Sequence, residues 1–280
     1  MDPIILNFCL LLLFGIFISS FGNIVGFGGG VFMVPLLVSF FHFPFSLAVG
    51  SVMISLVPSS LIATYFRRKE GFVDFKVGTM LEIPTMLGVV AGSYLLTYVK
   101  VEVLEIIFAL FIFGLGISFL KRKKPSAESS SGGFFFKLNQ ISPKFIVKNN
   151  LHNVAYRASI WLILFFGIFS GTLAGLFGIG GGFLKTPIMI KVFKIPVKIA
   201  TATALFMIVI TSITGSVTHY LHGHLDFTKA LPVIIGFTIG AVVGRKFNLA
   251  ISSKTLERLI GLSLLLAALM MSFSFFMHRE

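Results

Sequence analysis

Long apolar runs separated by short polar segments are the dominant pattern of this chain. Most runs have the length of a membrane-crossing helix, because the hydrocarbon core of a bilayer requires about 20 apolar residues. The runs lie at about residues 4–22, 28–41, 45–66, 77–98, 103–120, 159–176, 179–192, 197–218, 230–248 and 256–277. The pattern therefore predicts an all-α polytopic membrane protein.

The apolar pattern contains an internal repeat. A glycine cluster ending in proline reads GFGGGVFMVP at residues 26–35 and GIGGGFLKTP at residues 178–187, which lie 152 positions apart. The same offset aligns FGIF at residues 14–17 with FGIF at residues 166–169, without a gap over about a hundred positions. This self-similarity predicts two repeats of about five helices each. An odd number of helices in each half inverts the topology of the second repeat.

The repeat divides the chain into three parts. Residues 1–120 form the first transmembrane repeat, residues 121–158 a basic cytoplasmic linker, and residues 159–280 the second transmembrane repeat. The linker starts with the flexible sequence KRKKPSAESSSGG. Its second half, FFFKLNQISPKFIVKNN, mixes apolar and basic residues. That half either lies on the anionic inner leaflet or is a simple tether.

Basic residues give an independent test of the topology. If both termini are extracytoplasmic, 18 of the 23 Lys and Arg residues lie on the cytoplasmic side of the cell inner (plasma) membrane. The short segments 28–41 and 179–192 leave a re-entrant alternative with four spans in each half. That alternative places the basic residues 67–69 opposite the linker, so we expect full crossings.

Composition excludes other classes of protein. Hydrophobic residues make up 56% of the chain, charged residues 12%, and the mean hydropathy is +0.99, which excludes a soluble domain. The net charge of +13 does not indicate a nucleic-acid partner, because the basic residues cluster between apolar runs. Cys9 is the only cysteine, so an intrachain disulfide and a CxxC redox site are excluded. We expect it to be a buried, inert thiol.

The glycine clusters are the main candidate for chemistry. Four glycines in five positions disfavour a continuous helix, because each costs about 1 kcal/mol relative to alanine. They predict a break at membrane depth followed by a short helix, whose N-H groups and dipole favour an anion. Inverted repeats bring two such helix ends to one midplane site. Close helix packing through small residues is the alternative.

Candidate substrate-binding residues lie in and beside these clusters. They are Asn23, Gly26, Gly28, Gly29, Gly30, Ser51, Gly178, Gly180, Gly181, Gly182, Lys185, Thr186 and Thr203. Hydroxyls donate either to an anion or back to their own helix, and Asn23 either donates to the ligand or caps the broken helix. No catalytic residue, metal site or cofactor is predicted.

Two charges stand out because they lie within apolar runs. Lys185 falls where the first repeat has Met33, and it is either the counter-charge of the substrate or a lysine that extends to the membrane surface. Glu82 falls where the second repeat has Ile234. It could relay protons, pair with Lys185, or be solvated near the inner surface.

A histidine-rich segment follows the third apolar run of the second half. His219, His222, His224 and Asp226 have metal-like spacing. In the first half only the equivalent acid, Asp74, recurs. A solvated loop is therefore expected, with zinc binding as the alternative.

The paired GxGGG-x4-P segments resemble those of the TauE/SafE sulfite exporter family, also called the sulfonate uptake permease family. The resemblance covers the chain from Phe14 to about Met270. It implies transport of small sulfur-containing anions, such as sulfite, organosulfonates or sulfoacetate, by a permease without a nucleotide-binding domain. The long basic linker and Lys185 depart from the family pattern.

The expected function is that of a secondary transporter, a probable exporter, of small anions by alternating access. An anion channel of the same architecture and a proton-coupled uptake permease for small carboxylates remain alternatives. An enzyme is not favoured, because the runs contain no nucleophile or metal constellation. Export needs no coupled ion, since expelling a monovalent anion gains about 2.3 kcal/mol per 100 mV. The expected partners are the anion and the lipid bilayer, and a homodimer is left open.

Overall fold

The computed structural model describes residues 3–98, 110, 113–114, 116–120, 144–149, 154–248 and 251–277. Its elements are α1 (Pro3–Val25), α2 (Gly30–Phe41), α3 (Phe45–Lys69), α4 (Phe75–Leu95), β1 (Lys144–Asn149), β2 (Val154–Ser159), α5 (Ile160–Phe177), α6 (Gly182–Lys191), α7 (Val197–Leu221), α8 (Phe227–Asn248) and α9 (Ser253–Met277). The predicted all-α polytopic fold is confirmed. Of the predicted segment 103–120, residues 116–120 are helical and most of the rest lies outside the described residues.

Five of these helices, α1, α3, α5, α7 and α8, are long and apolar enough to cross a membrane. The helices α2 and α6 are much shorter, with 12 and 10 residues. They rise by about 18 and 15 Å, whereas the hydrocarbon core is about 30 Å thick. The predicted short helices after the glycine clusters are therefore present. Full crossings at these two segments stay a prediction.

The helix boundaries repeat along the chain. Each of α2, α3 and α4 begins 152 residues before its counterpart α6, α7 or α8. The packing is crosswise, because α1 packs along α8 while α4 packs along α5. Glycines permit both contacts: a Cβ on Gly88 would lie 2.8 Å from the Thr172 nitrogen, and one on Gly240 would lie 3.0 Å from the Ser20 nitrogen. The two halves are thus joined through equivalent close contacts.

The central helices α3 and α7 run antiparallel. Near the start of α3, Gly50 packs against the backbone carbonyl of His224, which follows the end of α7. Just after the end of α3, the backbone N-H of Asp74 donates to Thr203 Oγ1 near the start of α7, over 3.0 Å. Antiparallel counterparts are the arrangement that an inverted repeat requires.

The repeated acids have a structural role. Asp74 is the N-cap of α4, where its side chain accepts a hydrogen bond from the Val77 N-H at 3.2 Å. Asp226 accepts from the backbone N-H of Thr228 at 2.9 Å as α8 begins. Caps of this type satisfy backbone donors that the first turn leaves free. The recurrence of Asp74 at Asp226 is thereby explained.

The linker contains an element that the sequence analysis missed. The strands β1 and β2 form an antiparallel hairpin whose register runs from Lys144 opposite Ser159 to Asn149 opposite Val154. Helix α5 begins at Ile160, directly after β2. Residues 121–143, including the predicted flexible segment, lie outside the described residues.

Apolar side chains cover the outside of the helices, and polar ones are found within. On α4, Ile83 is 68% exposed while the adjacent Glu82 is 1% exposed. This distribution suits a protein surrounded by lipid, since a charge facing hydrocarbon is costly. Cys9 is exposed on α1 beside the exposed Phe8 and Leu10, so the expectation of a buried thiol was wrong.

Candidate functional site

Both glycine clusters adopt a backbone that favours glycine. Positive φ angles occur at Gly26 (84°), Gly28 (76°), Gly29 (103°), Gly178 (68°), Gly180 (65°) and Gly181 (70°). Other residues rarely adopt this left-handed region because the Cβ clashes with the backbone. The clusters therefore end α1 and α5, and the short helices begin at Gly30 and Gly182.

The two clusters contact each other. A Cβ on Gly30 would lie 2.9 Å from the Ile179 Cα, and one on Gly182 would lie 2.8 Å from the Gly26 oxygen. The Thr186 hydroxyl donates to the same Gly26 oxygen at 3.2 Å. We call this contact region the glycine junction.

The glycine junction lies midway along the central helices. A Cβ on Gly28 would lie 2.8 Å from Leu56 and 3.2 Å from Ile208, and one on Gly180 would lie 2.9 and 3.2 Å from the same two residues. Leu56 and Ile208 are near the middles of α3 and α7. The junction is close-packed, as the packing alternative expects, and a role of these glycines in anion binding stays a prediction.

The outer glycines of the clusters contact the starts of the central helices. A Cβ on Gly26 would lie 2.8 Å from the Thr201 Cα, and one on Gly178 would lie 2.7 Å from the Val49 Cα. Val49 and Thr201 are again equivalent positions, 152 residues apart. The first cluster thus contacts the second half, and the second cluster contacts the first half.

Lys185 and Glu82 form a buried ion pair. The Lys185 ammonium donates to Glu82 Oε2 at 2.6 Å and to Thr211 Oγ1 at 2.6 Å, and the Thr211 hydroxyl donates to Glu82 Oε1. The Lys185 and Glu82 side chains are 3% and 2% exposed. Lys185 therefore does not extend to the membrane surface, and Glu82 is not a solvated carboxylate.

The ion pair connects three helices beside the glycine junction. Lys185 lies on α6, Glu82 on α4 and Thr211 on α7. A Cβ on Gly181 would lie 3.1 Å from Lys185 Cε and 3.5 Å from Nζ. The sequence analysis named the pairing of Lys185 with Glu82 as one option, but it missed Thr211.

A cavity adjoins this ion pair. It has about 190 Å³ of empty space, counting its open mouth, and its lining includes Lys185, Thr85 and Ser170. Both hydroxyls donate to their own helices, Thr85 to the Leu81 carbonyl at 2.7 Å and Ser170 to the Gly167 carbonyl at 3.2 Å. Their oxygens keep lone pairs for an incoming proton donor, and their hydrogens can turn toward an acceptor. The sequence analysis missed Thr85 and Ser170, because neither lies near a glycine cluster.

The two halves differ at the ion pair. The positions equivalent to Lys185 and Glu82 in the other half are Met33 and Ile234. The ion pair therefore has no counterpart at the equivalent positions of the repeat, where both residues are apolar. Met and Ile are therefore suitable apolar substitutions for Lys185 and Glu82 in a variant that removes the pair.

Asn23 belongs to a neutral network in the first half. Its side-chain amide donates to the Ser19 carbonyl at 2.9 Å and to Ser59 Oγ at 3.0 Å, and the Ser19 and Ser59 hydroxyls are 3.0 Å apart. Asn23 lies within α1, which continues to Val25, so it does not cap the following helix. Its Oδ1 is buried without a hydrogen-bond partner among the described residues.

Ser51 and Thr203 are equivalent in sequence but not in environment. Thr203 Oγ1 accepts the Asp74 N-H and so holds the start of α4. The Ser51 hydroxyl is buried and has no hydrogen-bond partner within the described part of the chain. Thr203 Oγ1 is therefore already used as an acceptor, whereas the Ser51 hydroxyl has neither a donor nor an acceptor partner among the described residues.

The histidine cluster is partly buried instead of being a solvated loop. His219 Nε2 lies 2.9 Å from the Gly175 carbonyl and 3.2 Å from Ser93 Oγ. The pKa of His224 is lowered by burial and by the nearby His222. In the described ranges, no group of three or more His, Cys, Asp or Glu residues is arranged to hold a metal ion.

The fold and this interior define a multi-pass membrane protein with an ion pair buried where two repeated halves meet. The chain belongs to the sulfite exporter TauE/SafE family, whose model matches residues 11–271. The resemblance found in the glycine clusters is thus confirmed, and the protein is a membrane transporter of this family.

Individual relatives carry related names. The chain is 27% identical over 268 residues to the probable membrane transporter protein YunE of Bacillus subtilis (strain 168), an alignment that covers 93% of this chain and 96% of YunE. It is 24% identical over 269 residues to a probable sulfite/organosulfonate exporter TauE of Cupriavidus necator, with 90% and 91% coverage. No solved structure matches the chain.

Proposed function

We propose that this protein is a secondary transporter that exports small anions of the sulfite or organosulfonate type. It works by alternating access at a site between two inverted repeats. The observation that carries this proposal is the position of the buried Lys185–Glu82 pair beside the glycine junction. A fixed cation at the contact between two halves can be exposed to either side when the halves move.

The proposed membrane arrangement follows from the same features. Both termini are extracytoplasmic, the linker is cytoplasmic, and the protein lies in the plasma membrane. The antiparallel course of α3 and α7 supports the inversion. The basic residues at the ends of α3 and α8, among them Arg67, Arg68, Arg245 and Lys246, support the orientation.

Lys185 is the proposed counter-charge of the substrate. An ammonium group has three N-H donors, and two of them are directed to Glu82 and Thr211. An oxyanion in the adjoining cavity can take the third donor or replace the Glu82 carboxylate. Because that cavity also contains the hydroxyls of Thr85 and Ser170, the anion finds further donors there.

The packing favours a carrier over a channel. Leu56 and Ile208 fill the space around Gly28 and Gly180 at the glycine junction. A carrier that works by alternating access passes through a state closed to both sides of the membrane, and a packed glycine junction suits that state. Carrier flux saturates at low rates, whereas channel conductance is resolvable in single-channel recordings.

Glu82 favours a second candidate function, proton-coupled uptake of small carboxylates or related anions. A proton on Glu82 would keep the charge of the site unchanged when a monovalent anion binds to Lys185. Uptake against an inside-negative potential costs about 2.3 kcal/mol per 100 mV for a monovalent anion and therefore needs such coupling. Export of the same anion does not.

A double variant tests the site. The variant Lys185→Met with Glu82→Ile replaces the ion pair by the two residue types that occupy the equivalent positions, Met33 and Ile234. We expect this variant to fold and insert, because replacing a buried ion pair by apolar residues of similar volume is often neutral or stabilising. We also expect it to lose saturable sulfite flux in proteoliposomes.

The same reconstituted protein separates the two functions. An exporter moves sulfite toward the positive side without a proton gradient. A coupled permease no longer accumulates sulfite against the membrane potential when the proton gradient is collapsed. Wild-type flux in the double variant would show that the ion pair is not the site.

A further inference from the structure

A second pocket lies away from the Lys185–Glu82 pair. It has about 270 Å³ of empty space, counting its open mouth, and lies between α1, α3, α7 and α8. Its polar lining consists of Asn23, Arg67, Glu70 and Arg245. We call it the Arg67 pocket. It lies at the basic end of the molecule, the end that the positive-inside rule assigns to the cytoplasm.

Arg67 supplies a buried and incompletely paired cation to this pocket. Its side chain is 6% exposed, and its Nη1 donates to Glu70 Oε2 at 3.3 Å. Its Nη2 is buried without a hydrogen-bond partner among the residues that the structure describes. A buried donor without a partner is costly, so this nitrogen is available to a ligand.

Arg245 is exposed at the mouth of the pocket. Its guanidinium lies 3.9 Å from the centre of the Phe66 ring, which holds it in place. Two arginines and one glutamate give the lining a formal charge of plus one. The pocket therefore attracts a small anion.

Asn23 supplies a buried acceptor to the same pocket. Its amide nitrogen is occupied by Ser19 and Ser59, whereas its Oδ1 is buried and lacks a partner within the described residues. A fully ionised anion has no hydrogen to give to this oxygen. A ligand that satisfies both Asn23 and Arg67 must accept hydrogen bonds and donate one.

The equivalent place in the other half is closed. There the counterparts are His219 for Arg67, Gly175 for Asn23 and Ser93 for Arg245. His219 bonds directly to the other two, at 2.9 Å to the Gly175 carbonyl and 3.2 Å to Ser93 Oγ. The open donor and acceptor are thus specific to the Arg67 pocket and do not follow from the repeat.

We propose that the Arg67 pocket binds a monoprotonated oxyanion, such as hydrogen sulfite, on the cytoplasmic side of the protein. The Arg67 guanidinium donates to the oxyanion oxygens, and the hydroxyl of the anion donates to Asn23 Oδ1. This proposal rests on the proposed function in taking the transported anion as the ligand. It adds an entry site and a preferred protonation state.

Equilibrium binding tests the proposal on the full-length protein in nanodiscs. The probes are radiolabelled sulfite in mildly acidic buffer and methanesulfonate, a monovalent oxyanion without a hydroxyl, as competitor. We expect Arg67→Gln to weaken sulfite binding at this site at least about tenfold, the scale of a charged hydrogen bond. The matched control is Arg68→Gln, which removes the same charge from an exposed neighbour and should bind as wild type.

Methanesulfonate should compete at least about tenfold more weakly than unlabelled sulfite, because it cannot donate to Asn23. Asn23→Leu should reduce this preference, and a thermal melt shows whether that variant is folded. Wild-type binding in Arg67→Gln, an equal loss in Arg68→Gln, or equal competition by methanesulfonate would each overturn the proposal. Loss of sulfite binding when phosphatidylglycerol replaces phosphatidylcholine would assign the pocket to a lipid headgroup and also overturn it.

The two proposals fail in different ways. If wild-type protein binds sulfite through Arg67 but does not transport it, the proposed function fails and the pocket remains. If the protein transports sulfite but binding is insensitive to Arg67, only the pocket fails.

Discussion

Lys185 is a single charge whose role depends on its partner. Its ammonium group donates hydrogen bonds of 2.6 Å to Glu82 Oε2 and to Thr211 Oγ1, which hold it in the interior. Lys185→Met therefore removes a cation from the proposed site and leaves the Glu82 carboxylate buried without its partner. Breaking a buried pair in this way costs about 3 to 5 kcal/mol.

We predict that Lys185→Met weakens substrate affinity by about 1.5 to 3 kcal/mol, the range for a hydrogen bond to a charged group. Lys185→Arg should be intermediate, because the guanidinium keeps the charge but not the shape. Flux competition in reconstituted protein measures both. Unchanged affinity in Lys185→Met would leave the cavity hydroxyls and backbone amides as the whole anion site.

At the scale of elements, the glycine clusters set where α2 and α6 begin. Gly29 and Gly181 have φ angles of 103° and 70° just before these helices. A Cβ on Gly29 would lie 3.0 Å from the Ile18 carbonyl oxygen, and one on Gly181 would lie 3.1 Å from Lys185 Cε. Substitution there strains the backbone, and it displaces α1 at Gly29 or the Lys185 side chain at Gly181.

We predict that Gly29→Val and Gly181→Val each abolish transport while the protein still inserts. Gly223→Val is the matched control, because Gly223 has a φ of 72° but open space around its Cβ position. It carries the same backbone strain without the contact and should keep transport. Sulfite flux and membrane insertion are measured for all three. Normal flux in the Gly29 or Gly181 variant would mean that the junction only packs the fold.

At the scale of the whole molecule, the orientation in the membrane is the main prediction. We expect the linker to be cytoplasmic and both termini extracytoplasmic, because the basic residues and the odd number of segments agree. Single cysteines at Ser130 in the linker and Ser274 near the C-terminus should react from opposite sides. The background is Cys9→Ser, so that each introduced cysteine is the only thiol in the protein. Labelling of both positions from outside would refute this topology.

The sequence by itself determined the class, the duplication and the family. Apolar runs of bilayer length and a fixed offset of 152 residues are local or periodic signals, so they can be read without coordinates. Positive φ at the glycine clusters was also predictable, because only glycine adopts it without strain. Lys185 and Glu82 stood out since charges are rare in apolar runs.

Only the tertiary structure decided which polar groups meet. Lys185 is bonded to Glu82, 103 positions away in sequence, and the Arg67 pocket combines residues from both halves. Such contacts depend on how helices from different halves cross, which no local pattern specifies. The burial of His219 was missed for the same reason, because its partners Gly175 and Ser93 are distant in the chain. The hairpin of the linker is a local element, and the sequence analysis missed it because the mixed apolar and basic residues of the segment were interpreted as a surface-bound segment or a tether.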